Sequence, residues 1–287
     1  MAEALQRPEQ RLLRELTICS VSYHSGLHLQ LNWELTTRAA GPVRWLVVQN
    51  GPPEPLDTFE VLPGVARPQL ALPPDGTARV NGASYHHALA LNSALGWLDS
   101  RFVLFLDPDF YIVPPLGELL DHMVRHELAF FGAPYAIDPA RPRIQGFPCA
   151  FCMLVDGSRV DLRSLDFLPD ASRRDVMADT GYRIYSHYVQ TDQTGLRYEA
   201  VLPAAPSGTP WPHSTRRFAE WCGEDALRGL TADEYFWRDR PFGLHLHMKL
   251  HIHRLTAGPA ATKAWAKQQL GQVRRAMEGA RRHGALV

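Results

Sequence analysis

The chain has no excess of charge and no long apolar run. Across 287 residues, 30 Lys+Arg balance 30 Asp+Glu. General nucleic-acid binding calls for a basic surplus, so nucleic acid is not an expected partner. No apolar stretch approaches the about 20 residues that cross a bilayer, so no transmembrane segment is expected. Residues Met1 to Gln10 lack the apolar core of a secretion signal, and the expectation is a cytoplasmic protein. Cysteine is scarce, with four residues at 19, 149, 152 and 222. Cys149-Ala-Phe-Cys152 has redox or zinc spacing, but no second pair completes a zinc site. Its apolar setting reads as core. No internal repeat or low-complexity linker divides the chain. Its length fits one large domain or two small ones, and a hydrophobic content of 45% suffices for a substantial core.

What is present is an alternation of strand and helix patterns. Residues 16–23 read as a strand broken by His24-Ser25-Gly26. Leu27, Leu31 and Leu35 recur at helical spacing over Leu27 to Arg38. Val43 to Gln49 is a second strand, and the proline-rich stretch 51–79 is loop with one short strand. Ser84 to Leu98 reads as a helix and 102–106 as a strand. Such β-α-β-α-β order predicts an α/β fold with a mostly parallel central sheet flanked by helices. Further on, Glu118 to Glu127 and Asp179 to Val189 read as helices. Leu128 to Pro134, Gly146 to Val155 and Phe242 to His253 read as extended. Val201 to Gly208 reads as loop, and Trp211 to Gly223 fits no pattern. Ala260 to Arg282 predicts a basic C-terminal helix.

Residues 101–113 carry the most chemical information. Five apolar residues end abruptly in Asp107-Pro108-Asp109, and such a run predicts a strand buried on both faces. Ligands in open α/β sheets bind beyond the carboxyl ends of the strands. Residues i and i+2 of an extended segment face one side, and Pro108 biases Asp107 toward extended geometry. Two carboxylates so placed can hold a divalent cation, which in turn can hold phosphate. The plainer alternative is a turn, since aspartate and proline are common turn residues.

Three other groups could carry chemistry. His245, His247, His251 and His253 alternate with apolar residues, so on a strand they share one face. Imidazole is a good transition-metal ligand, although each histidine alone is more readily an ordinary polar-face residue. Asp179 and the pair Glu224-Asp225 are candidate general bases, or helix caps. His86, His87 and Asn92 lie on the helix leading into the aspartate strand, whose N-terminus favours anions.

Residues 16–110 resemble the nucleotide-binding half of a family 2-like glycosyltransferase of GT-A (Rossmann-like) fold. The resemblance rests on the strand Thr17 to Tyr23, the strand ending in Val47-Val48-Gln49-Asn50-Gly51, the helix Gly82 to Leu95 with Asn92, and the strand ending in Asp107-Pro108-Asp109. It implies a helical segment over 1–15 and a glycosyltransferase domain over 16–255. Within that domain, 16–113 would bind the donor and 114–255 the acceptor, with a C-terminal helix over 256–287. It further implies a metal (Mn²⁺ or Mg²⁺) held by Asp107, Asp109 and a C-terminal histidine, with His247 the first choice. Tyr23, Asn50, Asn92 and Asp107 would contact a UDP-, GDP- or dTDP-sugar. Asp179, within Met177-Ala178-Asp179-Thr180-Gly181-Tyr182-Arg183, would deprotonate a glycan or small-molecule acceptor, giving inversion, with Asp225 as the alternative base. Two departures stand out: Ala178 replaces a preceding glutamate, and Asn50 an aspartate. The competing readings are a nucleotidyltransferase acting on a sugar phosphate, and a non-catalytic scaffold of the same fold. Arg274, Arg275, Arg281 and Arg282 on the last helix would be solvated, or dock a membrane surface peripherally.

Overall fold

The computed structural model describes residues 8–66, 82–135, 146–170, 179–190, 195–204, 217–228, 230, 232–246 and 259–284. The buried run Leu16–Ser22 forms β1. Helix α2 (Gly26–Ala40) follows, then β2 (Arg44–Gln49) and β3 (Glu60–Pro63). Helix α3 (Gly82–Ala94) leads through one 3₁₀ turn to β4 (Phe102–Leu106), whose five residues are all buried. The short helix α1 (Pro8–Leu13) precedes these elements and packs on α4 (Leu116–His126).

These strands belong to a seven-stranded sheet ordered β3-β2-β1-β4-β7-β6-β8. It is completed by β6 (Leu128–Gly132), β7 (Cys152–Asp156) and β8 (Arg197–Ala200). Only β7 runs against the rest, pairing antiparallel with β4 and with β6. The expected mostly parallel sheet is therefore present. Ala88, Leu91 and Ala94 of α3 lie in the cluster on one face, with Val103 and Phe105 of β4. Leu29 of α2 and Leu116, Leu119 and Leu120 of α4 lie in the cluster on the other, with Phe102 and Leu104.

A second sheet, which the sequence pattern did not predict, is ordered β5-β11-β10-β9. Its strands are β5 (Phe110–Ile112), β9 (Leu202–Pro203), β10 (Asp233–Trp237) and β11 (Arg240–His245). Strand β5 is only three residues long and follows β4 after Asp107-Pro108-Asp109, too short to show a strand pattern of its own. Leu202–Pro203, expected to be loop, pairs with Tyr235 and Phe236. The strand expected over Gly146 to Val155 begins only at Cys152, because Cys149 to Cys152 closes as a turn, with Cys152 N–H donating to Cys149 O at 2.9 Å. The helix expected from Asp179 starts at Tyr182 (α5, Tyr182–Tyr185). Gly181 at φ 85° turns the chain before it, in a region that strains any side chain. One-turn helices α6 (Ala219–Cys222) and α7 (Glu224–Leu227) follow.

The C-terminal helix α8 (Pro259–Gly284) buries Val273, Ala276, Met277 and Ala280 in a third cluster with Leu31, Leu35 and Tyr111. Its basic residues do not all face water, as had been expected. Arg274 pairs with Glu34 of α2 at 2.6 Å. The Arg281 guanidinium donates to three backbone carbonyls: Leu35 at 2.7 Å, Ile112 at 2.9 Å and Val113 at 3.1 Å. Burial lowers its pKa to about 10, which leaves it charged at neutral pH. Arg275 and Arg282 are exposed. Among the described residues, no helix is long and apolar enough to cross a membrane. Arg281→Met keeps the apolar stem and removes three hydrogen bonds from a charged donor to backbone carbonyls, so stability should fall by about 3 kcal/mol. Urea unfolding checks this, with Arg275→Met expected to change little.

Candidate active site

Strand β4 ends at Leu106, and the next three residues turn the chain into the second sheet. Asp107 N–H donates to Phe151 O on the neighbouring strand's approach, and Phe110 N–H to Asp107 O at 3.0 Å, closing the turn. Leu246 N–H donates to Asp109 O at 3.1 Å, which fixes the end of β11 against the same turn. Asp109 is 4% exposed, whereas the Asp107 side chain keeps 21% of its surface.

Strand β11 brings His245 to this corner. Leu244 and Leu246 join the third cluster, and His245 turns the opposite way, as strand alternation requires. Its ring lies 4.6 Å from Phe151 and 5.5 Å from Phe110, centroid to centroid, so packing fixes its orientation. Gly243 makes this approach feasible: a Cβ there would stand 2.6 Å from Phe110 Cε1. His245 Nε2 is 3.5 Å from Asp109 Oδ1 and 4.0 Å from Asp107 Oδ2. One ligand atom from each of Asp107, Asp109 and His245 lies within 4.8 Å of the other two. For metal–ligand bonds of about 2.1 Å, adjacent octahedral ligands stand about 3 Å apart and opposite ones about 4.2 Å. The two spacings from His245 fall within that range, and two oxygens with one imidazole nitrogen suit a divalent cation. His247, His251 and His253 lie outside the described residues.

Helix α3 lines the neighbouring wall. His87 Nε2 stands 3.4 Å from Asp107 Oδ1. One turn earlier, Ser84 O accepts the Thr180 hydroxyl at 3.0 Å. Asp179 is thereby placed beside the first turns of the same helix that faces Asp107. It is 8% exposed, and its Oδ1 accepts Thr180 N–H at 2.9 Å. Asp225 stands on α7, with a side chain 90% exposed and paired with Arg228. That helix packs on α8.

The remaining sequence candidates are engaged within the protein. Asn50 donates to His86 O at 3.2 Å and accepts from Val65 N–H at 3.0 Å. Asn92 donates to Asp166 at 2.9 Å and accepts from Phe167 N–H at 2.9 Å. Both amides tie α3 and the ends of the strands to loops. Tyr23 is half-buried at the end of β1, its ring edge-on to His24 at 4.9 Å.

Four residues near the site escaped the sequence reading. Glu54 accepts from Ser22 Oγ–H at 2.8 Å, Ser25 N–H at 3.1 Å and Gly26 N–H at 3.2 Å. The N-terminus of α2, a position that favours anions, is thus filled by the protein's own carboxylate. Asp233, 2% exposed, lies directly across the β10–β11 ladder from His245. His28 Nδ1 is 2.7 Å from Tyr111 Oη behind the aspartates. Burial lowers the His28 pKa against the opposing pull of Asp109, while burial and then Asp109 raise that of Tyr111. The only sequence signal for Asp233 and His28 is polarity within an apolar element.

The chain matches no family profile and no curated protein. Solved structures with a similar course include a mannosyltransferase from Pyrobaculum calidifontis in complex with GDP-Man and Mn²⁺. It shares 10% identity over 98% of this chain and 75% of that one, with a TM-score of 0.44. S. aureus TarS shares 12% identity over 57% of this chain and 32% of its own, with a TM-score of 0.38. Galactosyltransferase LgtC, in complex with donor and acceptor sugar analogs, shares 16% over 64% and 67%, with a TM-score of 0.34.

Cys149 and Cys152 flank the site, both buried and neither in a disulfide. Burial raises the Cys152 thiol far above its ordinary value, which makes it a poor nucleophile and ligand. Cys222 is half-buried and raised to about 11. In native protein, a thiol reagent should label Cys222 slowly and the other three only after denaturation. Rapid labelling of Cys149 or Cys152, read by peptide mass mapping, would contradict this assignment.

Proposed function

We propose that the protein is a metal-dependent glycosyltransferase that uses a nucleotide-activated sugar. The observation that carries this reading is the convergence of Asp107, Asp109 and His245 where the parallel strands end. Asp107, Asp109 and His245 would hold Mn²⁺ or Mg²⁺, with the imidazole favouring Mn²⁺. Such an ion neutralises charge growing on a departing diphosphate. His245 takes the role that sequence had given first to His247.

Residues 16–113 form the donor side and 114–255 the acceptor side. Tyr23 contacts the nucleotide of a UDP-, GDP- or dTDP-sugar. Asn50 and Asn92 act through the walls they tie together, since their amides are already hydrogen-bonded. Asp179 receives the proton of a glycan or small-molecule hydroxyl as its oxygen bonds to the anomeric carbon. The bond from that carbon to the diphosphate breaks on the opposite side, so configuration inverts and a nucleoside diphosphate leaves. Asp179 is preferred over Asp225 because it shares the α3 wall with Asp107, whereas Asp225 is exposed beside Arg228. Reaction in the cytoplasm belongs to the same proposal.

Glu54 weighs against nucleotidyl transfer. A triphosphate gripped at the first strand-to-helix turn would meet a carboxylate already bonded to two backbone N–H groups there.

The test is a panel of nucleoside diphosphates and sugar nucleotides, with and without Mn²⁺. One nucleoside diphosphate should raise the melting temperature only when Mn²⁺ is present, and its sugar nucleotide should be turned over to free nucleoside diphosphate. Asp179→Asn should keep that stabilisation and lower kcat by about 10²- to 10⁴-fold. Unchanged turnover in this variant would remove Asp179 as the base.

A further inference from the structure

Helix α2 carries a buried asparagine that the proposed chemistry has not used. Asn32 is 2% exposed and sits between Leu31 and Leu35, which join the third apolar cluster. Its Nδ2 donates to Phe110 O at 2.7 Å and to Pro108 O at 3.3 Å. Those carbonyls belong to the residues immediately before and after Asp109. One amide nitrogen therefore holds the carbonyls of the two residues that neighbour the buried Asp109.

We infer that Asn32 is a positioning residue: it fixes the backbone at Asp109 so that this carboxylate meets His245 and Asp107 at metal-binding distance. The inference rests on the metal-site reading above. A side-chain amide suits the task because one nitrogen supplies two N–H donors. Both accepting carbonyls sit in a corner where little water competes. His28, one helical turn earlier on the same face, contacts Tyr111 at 2.7 Å, so α2 holds the segment after the corner as well. Arg281 holds the carbonyls of Ile112 and Val113. The three side chains fix successive parts of residues 108–113, and Asn32 alone among them acts on the residues either side of Asp109. Residues that orient a metal ligand are typically worth 10- to 100-fold in affinity.

The experiment compares Mn²⁺ affinity, by EPR of free Mn²⁺, with the Mn²⁺-induced rise in melting temperature. It uses wild type, Asn32→Leu, Asn32→Asp and Leu120→Ala. Leu120 is fully buried on α4, so its truncation controls for a loss of stability alone. Both Asn32 variants should bind Mn²⁺ about 10- to 100-fold more weakly, with a reduced thermal response. Leu120→Ala should melt earlier but keep the wild-type affinity and response. A wild-type Mn²⁺ response in Asn32→Leu overturns the inference and leaves the metal site standing. If wild type itself binds no Mn²⁺, the metal-site reading fails, and the inference with it.

Discussion

Three residues separate β4 in one sheet from β5 in the other, and the structure turns on how that corner is held. The chain must leave a strand buried on both faces and enter a second sheet without leaving backbone groups unsatisfied. Asp107 N–H bonds to the residue before β7, Asp109 O accepts from the end of β11, and Asn32 takes the carbonyls of Pro108 and Phe110. A corner tied on three sides keeps its side chains in place. That is why Asp109 can stay buried beside His245 and not swing into water.

The outer elements serve this corner at a distance. Helix α8 is joined to α2 and to the end of β5 through Arg281 and the Arg274–Glu34 pair. Its apolar face completes the third cluster. A helix that reads as basic and solvated thereby forms part of the support for residues 109–113. The hydrogen bonds come from a guanidinium because Arg281 offers several donors in a fixed plane, enough for three carbonyls at once.

The first half of the fold was legible because its signals are local. Long apolar strands separated by helix-length periodic segments point to a parallel sheet, and the strands ending at Gln49 and Leu106 fall where the pattern puts them. The second sheet was not legible. Strand β5 has only three residues and β9 only two; each exists through pairing with strands distant in sequence. The site divides in the same way. The aspartates were readable from an abrupt end to an apolar run, and the alternation Leu244-His245-Leu246 showed which side a histidine would face. Which histidine reaches the aspartates depends on the β5–β11 register, with His245 opposite Phe110, and no local pattern encodes that. Asn50 and Asn92 looked like ligand contacts because polar residues near strand ends often are; here they bind loops. Asn32 and Glu54 drew no notice because their partners lie 28 or more positions away.

The central claim is that Asp107, Asp109 and His245 form one metal centre. Mn²⁺ bound to ¹⁵N-histidine-labelled protein, read by electron spin echo modulation, addresses it directly. One Mn²⁺ per chain with a histidine nitrogen coupling that disappears in His245→Gln, and no tight binding in Asp109→Asn, is the predicted result. Tight Mn²⁺ binding that is indifferent to both substitutions would contradict the account.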